Sequence, residues 1–148
     1  MSESDSETMD EDERDGFLGS GGTGVISLST GEETAPHSTP VSYGYDATES
    51  VFYFRLANEP GGAKGDLSGR TVSFVTYGNA DGWKSVVATG QLEQTTEESV
   101  ATESLQGLER VHIPLIDIFG KPPREVAFEF YRLVPDELTT RTETQTEL

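Results

Sequence analysis

Cysteine is absent from the 148-residue chain, which excludes disulfides and thiolate metal sites. Lysine is scarce: only Lys64, Lys84 and Lys121 occur, beside seven arginines. Histidine is limited to His37 and His112. No HExxH spacing, nucleophile elbow or metal-ligand cluster is present, so the common hydrolase and metalloenzyme signatures are missing. No apolar run approaches the roughly 18 residues of a membrane-spanning helix. The first residues are acidic and lack the apolar centre of a secretory leader. These absences lead to the expectation of a soluble, cytoplasmic protein.

What is abundant is negative charge. The chain has 27 acids against 10 bases, a net charge of −17. Residues 2–15 carry eight of the acids and only Arg14, which leaves 19 acids against nine bases elsewhere. The acidity therefore covers the folded part as well as the leader. Such a surface repels nucleic acid and anionic lipid. Two readings fit: a partner-binding acidic protein, or a halophilic one. The second is favoured because the acids are spread along the whole chain. Hydrated carboxylates and few lysines keep a protein soluble in concentrated salt, where counterions screen self-repulsion.

The length suits one domain with a real core. Residues 1–15 have almost no apolar content and are expected to form a disordered acidic tail, helical only near its end. Phe17 and Leu18 are the first large apolar residues and can anchor a short helix. Four glycines between 19 and 24 resemble a phosphate loop only superficially: they precede a strand, and no Gly-Lys-Ser/Thr follows. Strand-like patterns cover 25–30, 35–45, 51–56, 70–77, 83–93 and 124–134. Pro36 and Pro40 mark an edge or a bulge in the second. Thr95 and Glu98 fit a capping box, opening a helix to about 108 with Val100, Leu105 and Leu108 buried. Residues 111–119 are apolar but irregular, and 136–148 form a polar tail expected to fray. The domain proper is thus placed at 16–135. Its fold class is mainly β, an antiparallel barrel or sandwich of six strands, with one main helix and short flanking ones.

Candidate binding groups are few. Arg55 interrupts the aromatic strand 51–56; it either snorkels at a barrel end or faces a bound anion. Lys64 follows Gly61 and Gly62 in the next loop, within reach of the same point if that loop folds back. Arg70 is a weaker third. Ser42, Ser85 and Thr89 are placed to donate from strands, or to form an ordinary polar face. Trp83 either stacks on a flat ring or plugs a barrel end. Together these suggest a planar, phosphorylated cofactor lying across the strands.

The blocks PVSYGYD (40–46), VFYFR (51–55), a Gly-rich loop with Lys64, RTVSFVTY (70–77) and WKSVVATG (83–90), in that order, resemble the pyridoxamine 5′-phosphate oxidase-like family of FMN-binding split barrels. The branch of 5-nitroimidazole reductase-like proteins is the most similar. The resemblance covers residues 17–95 and, more loosely, the strand at 124–134. It implies a six-stranded antiparallel split β-barrel that forms a homodimer, with FMN in a cleft between subunits. Val41, Ser42 and Tyr43 would then run along the cofactor. Lys64 would meet its phosphate, and Ser85 and Val86 would lie beside it, with Trp83 and Arg55 nearby. Arg55 stands where that branch has histidine, which removes histidine's proton chemistry. Gly62-Ala63-Lys64 stands where true pyridoxamine 5′-phosphate oxidases have Ser-Arg-Lys, so vitamin B6 oxidation is not expected. The implied function is a flavin-dependent oxidoreductase acting on a small organic acceptor. A non-catalytic flavin-binding module, or a deazaflavin-dependent reductase on the same barrel, is the alternative.

Overall fold

The computed structural model describes residues 6–29, 35–57, 69–79, 82–95, 111–113 and 128–143. Within them lie β1 (Ser6–Glu7), α1 (Glu11–Leu18), β2 (Gly21–Leu28), β3 (His37–Asp46), β4 (Val51–Ala57), β5 (Thr71–Gly78), β6 (Trp83–Gln94), β7 (Phe128–Leu133) and β8 (Glu137–Glu143). All pairings are antiparallel. The order β6-β5-β2-β3-β4-β7 closes on itself because β7 also pairs with β6. The result is a closed six-stranded barrel. β8 extends it beyond the closure, with the two-residue β1 on its far edge.

Alternation along the strands fills this barrel. Tyr43 faces Phe54 and Tyr45 faces Phe52 across β3 and β4. Three of these rings meet Phe74 of β5, whose centroid lies 5.2 Å from Tyr43, 5.4 Å from Phe52 and 4.9 Å from Phe54. Ile26, Leu28, Val72, Val86, Ala88, Leu92 and Leu133 complete the core. The backbone of β2 must pass close to it: a Cβ on Gly24 would sit 2.7 Å from the Phe74 ring.

The split arises at one bulge. Leu133 of β7 faces Leu92 of β6, yet Glu137 of β8 faces Thr89. Four steps on one strand therefore match three on the other, the signature of one inserted residue, which bends the strand that carries it. Before the bulge the chain closes the barrel on β4; after it, β8 follows β6 outward. Residues 136–148 were expected to be a fraying tail, and β8 corrects that. The free edge of β6 offers a ladder from Trp83 to Thr89, Leu138 packs against the core, and Thr140 is buried.

Helix α1 covers the opening. Asp10 caps it by accepting from the Glu13 N–H at 2.8 Å, and acids in its first turn suit the positive end of the helix dipole. Leu18 is buried, Tyr43 Oη donates to the Leu18 carbonyl at 3.0 Å, and Tyr45 Oη donates to Asp15 Oδ1 at 3.0 Å. Met9 is buried too, and its N–H donates to Thr140 Oγ1 at 3.0 Å. So the end of the acidic leader is part of the domain.

Two further expectations shift. β2 begins at Gly21, so the Gly-rich stretch is strand as well as turn. Pro40 lies inside β3 opposite Val25, but the β3–β4 ladder starts only at Ser42. The proline therefore sits at a local edge, where a missing N–H is tolerated. The helix expected after Thr95, the Gly-rich loop with Lys64, and residues 124–127 of the last expected strand lie outside the described residues.

Candidate functional site

The outward face of the barrel holds the polar candidates. Register places Arg55, Ser42 and Thr23 side by side on β4, β3 and β2. Tyr77, Ser85 and Arg141 are likewise side by side on β5, β6 and β8. Adjacent strands are about 4.8 Å apart. From Ser42 to Ser85 there are three such steps, across β2 and β5, or about 14 Å over a convex surface. The structure thus brings Ser42 to Arg55 and Ser85 to Trp83, and keeps the two pairs apart within one chain.

Ser42 is the anomaly. It is 2% exposed, and its Oγ has no hydrogen-bond partner among the described residues. A buried hydroxyl left this way costs about 1–3 kcal/mol. Beside it, burial lowers the pKa of the Arg55 guanidinium from its ordinary value, though such a group stays charged at neutral pH. A buried hydroxyl donor and a partly desolvated cation at adjacent positions are the group types that an anion or a polarised carbonyl accepts from. Next along the same face, Gly44 lies under residues 111–113: a Cβ there would be 2.7 Å from Val111. The His112 N–H donates to the Ser20 carbonyl at 3.0 Å and holds that segment down.

The remaining sequence candidates divide by face. Val41, Tyr43 and Val86 point into the core, at 3%, 3% and 0% exposure, so only their backbone can meet a ligand. Ser42 and Tyr43 have ladder partners on both sides, whereas Val41 has one only on β2. Ser85 faces outward and Trp83 is exposed. Lys64 lies outside the described residues. Sequence reading missed Tyr77, which stacks on Trp83 at 6.1 Å. It also missed Arg141, whose segment reads as tail. The period-two pattern of residues 73–77 held the signal for Tyr77. A cavity of about 510 Å³ lies elsewhere, between α1 and the ends of β5 and β6, lined by Glu13, Phe17, Gly78, Asn79 and Lys84 among others. Among the described residues there is no cluster of three metal-ligating side chains, and no helix is long and apolar enough to cross a membrane.

The family model for pyridoxamine 5′-phosphate oxidase matches residues 10–142. This chain belongs to that family. Its barrel is shared by solved structures at low identity. A Corynebacterium glutamicum protein provisionally assigned as a pyridoxamine 5′-phosphate oxidase has a TM-score of 0.68 and 21% identity, covering 97% of this chain and 96% of its own. The FAD-binding protein of Mycobacterium smegmatis has a TM-score of 0.65 and 16% identity, covering 94% and 100%. A Bacteroides thetaiotaomicron protein provisionally assigned to 5-nitroimidazole antibiotic resistance has a TM-score of 0.57 and 14% identity, covering 92% and 86%. No curated protein matches the sequence. The family resemblance read from the strand blocks is thereby borne out, and α1 and all of β8 but Glu143 fall within the matched span.

Proposed function

We propose that this member of the pyridoxamine 5′-phosphate oxidase family binds a flavin on the outer face of β3 and β4. In this reading it is an FMN-dependent oxidoreductase for a small organic acceptor. The observation that carries the reading is the buried Ser42 hydroxyl without a partner, beside Arg55. Its support comes from the family match and from the FAD-binding protein of M. smegmatis, which shares the barrel. The donor set fits a flavin, which presents carbonyl and phosphate acceptors on a flat ring system. When bound, such a cofactor supplies the redox chemistry. The chain's own part is positional and electrostatic. Ser42 Oγ, shielded from solvent in the free chain, donates to an acceptor atom once the chain over that face moves aside, and loses its burial penalty in doing so. Arg55 holds positive charge against an anionic group, at a strength set by its partial removal from water. Lys64 is assigned to the phosphate.

The homodimer belongs to the same proposal. Across four strands the outward row reads Pro40, Val25, Val75 and Val87. The neighbouring outward positions on β2 and β5 are Thr23, Ser27, Ser73 and Tyr77, also uncharged. On a chain of net charge −17, such a neutral band is where two copies can meet without repulsion.

Spectra test the reading. Purified protein, or protein mixed with FMN, should carry a bound-flavin absorption band that a nicotinamide donor bleaches and a nitro compound or quinone restores. Light scattering should give twice the chain mass. Binding without bleaching leaves a flavin-binding module. Uptake of a deazaflavin but not of FMN moves the cofactor assignment. Uptake of neither overturns the proposal.

A further inference from the structure

Tyr43 and Tyr45 fill the barrel, so strand alternation puts Ser42, Gly44 and Asp46 on the outer side of β3. All three are nevertheless buried. So are Val51 and Tyr53 opposite them on β4, at 5% and 2% exposure. This outer face is therefore covered, and the described part of the cover is residues 111–113. Gly44 and Gly21 are register partners on β3 and β2 and form its seat. A Cβ on Gly44 would come within 2.7 Å of Val111 and 2.9 Å of Ile113, and one on Gly21 would collide with the His112 carbonyl oxygen. Gly44 has no positive φ, so its backbone suits any residue. What excludes a side chain there is the segment lying above it. The seat is close, yet the hold is slight. Among the described residues the segment makes one backbone hydrogen bond, from the His112 N–H to the Ser20 carbonyl at 3.0 Å, and that oxygen also accepts from the Tyr45 N–H at 3.1 Å. Val111 and Ile113 stay partly exposed and His112 is exposed. β3 beneath it has ladders on both sides. Little buried apolar surface and a single shared bond mark a unit that opens while the rest stays folded.

We infer that residues 111–113 are a latch over the outer face of β3 and β4. Closed, the latch seats in the slot made by Gly21 and Gly44 and shields that face. Open, it gives a ligand access to Ser42, one outward position along β3 from Gly44 and about 7 Å from it, and to Arg55 opposite Ser42. A ligand that binds only the open form has its affinity reduced by the fraction of open molecules, so loosening the latch tightens binding. That this ligand is a flavin rests on the reading above; the opening itself does not.

The chain has no cysteine, so Ser42→Cys introduces a single thiol, and its labelling by an aromatic disulfide reagent times the exposure of this face. In flavin-free protein, labelling should be slower than in the urea-unfolded chain. It should also be nearly independent of urea well below the unfolding midpoint, because a local opening exposes little surface. Adding Gly44→Ala, whose Cβ presses on Val111 and Ile113, should speed labelling about tenfold or more. Adding His112→Pro, which deletes the N–H given to Ser20, should speed it about twofold to tenfold, the scale of one hydrogen bond. The urea slope separates opening of the latch from unfolding of the whole chain in either variant. The inference is overturned if labelling climbs with urea as steeply as global unfolding does, if it matches the unfolded chain in rate, or if neither variant speeds it. With Ser42 in place, FMN should bind both variants more tightly than the parent; FMN that binds, but no more tightly, would also overturn the latch. Labelling that follows the expected pattern while FMN neither binds nor slows it would retire the flavin reading and leave the latch standing.

Discussion

Replacing Ser42 with alanine removes one oxygen from a position that is 2% exposed and whose hydroxyl has no partner among the described residues. In the ligand-free protein that oxygen is a liability. Leaving it buried and unbonded costs about 1–3 kcal/mol, all of it recovered on deletion. Against this stands the small void left behind, worth up to about 1 kcal/mol. The balance is a gain of between zero and about 3 kcal/mol, so Ser42→Ala should unfold later than the parent. For a chain of this size, 1 kcal/mol corresponds to about 4 °C in the midpoint. The same change should weaken flavin binding by about twofold to tenfold, one ordinary hydrogen bond. Stability and binding thus move in opposite directions, as they do where a polar group is kept for a ligand at the expense of the fold. Urea denaturation of flavin-free protein measures the first quantity and a flavin titration the second. A loss of more than about 1 kcal/mol in the flavin-free protein would show that the hydroxyl is already satisfied, and the site argument would then lose its foundation.

Other consequences are open to measurement. Gly44→Val should cost about 1–3 kcal/mol, because its Cβ would press on Val111 at 2.7 Å and Ile113 at 2.9 Å; faster proteolysis near residues 111–113 would accompany the loss. Alkaline unfolding should be led by buried phenols: burial raises the pKa of Tyr43 and of Tyr45 above the usual 10.0. Their folded-state pKa values exceed the unfolded ones, so this stability is fully present below about pH 10 and is lost as pH rises through the folded values. Tyrosinate absorbance and circular dichroism should therefore change together, and Tyr43→Phe should begin to unfold at higher pH. Phe74→Ala should cost about 3–5 kcal/mol, since that ring is fully buried against three others. If the net charge of −17 is a halophilic trait, thermal midpoints should climb from low to molar KCl; a flat or falling series would contradict that reading.

The sequence by itself determined the barrel strands and sorted their side chains into two faces. Residues 51–56 alternate Phe52, Phe54 and Leu56 against Val51, Tyr53 and Arg55, and a period of two leaves open only which of the two faces meets the core. It also determined that Arg55 is out of keeping with its strand. What it could not express was pairing between distant segments. Residues 137–143 hold only Leu138 as a large apolar side chain, so they read as tail. They become a strand because β6 has an edge to offer and a one-residue bulge turns the chain toward it. Likewise the leader's Met9 looks solvated until Thr140, 131 positions away, accepts its N–H. The placement of Ser42 beside Arg55, and of Tyr77, Ser85 and Arg141 in a row, is a matter of register. Register is fixed by which side chains fill the shared interior and by where the bulge falls, and neither exists until the strands have closed into a barrel.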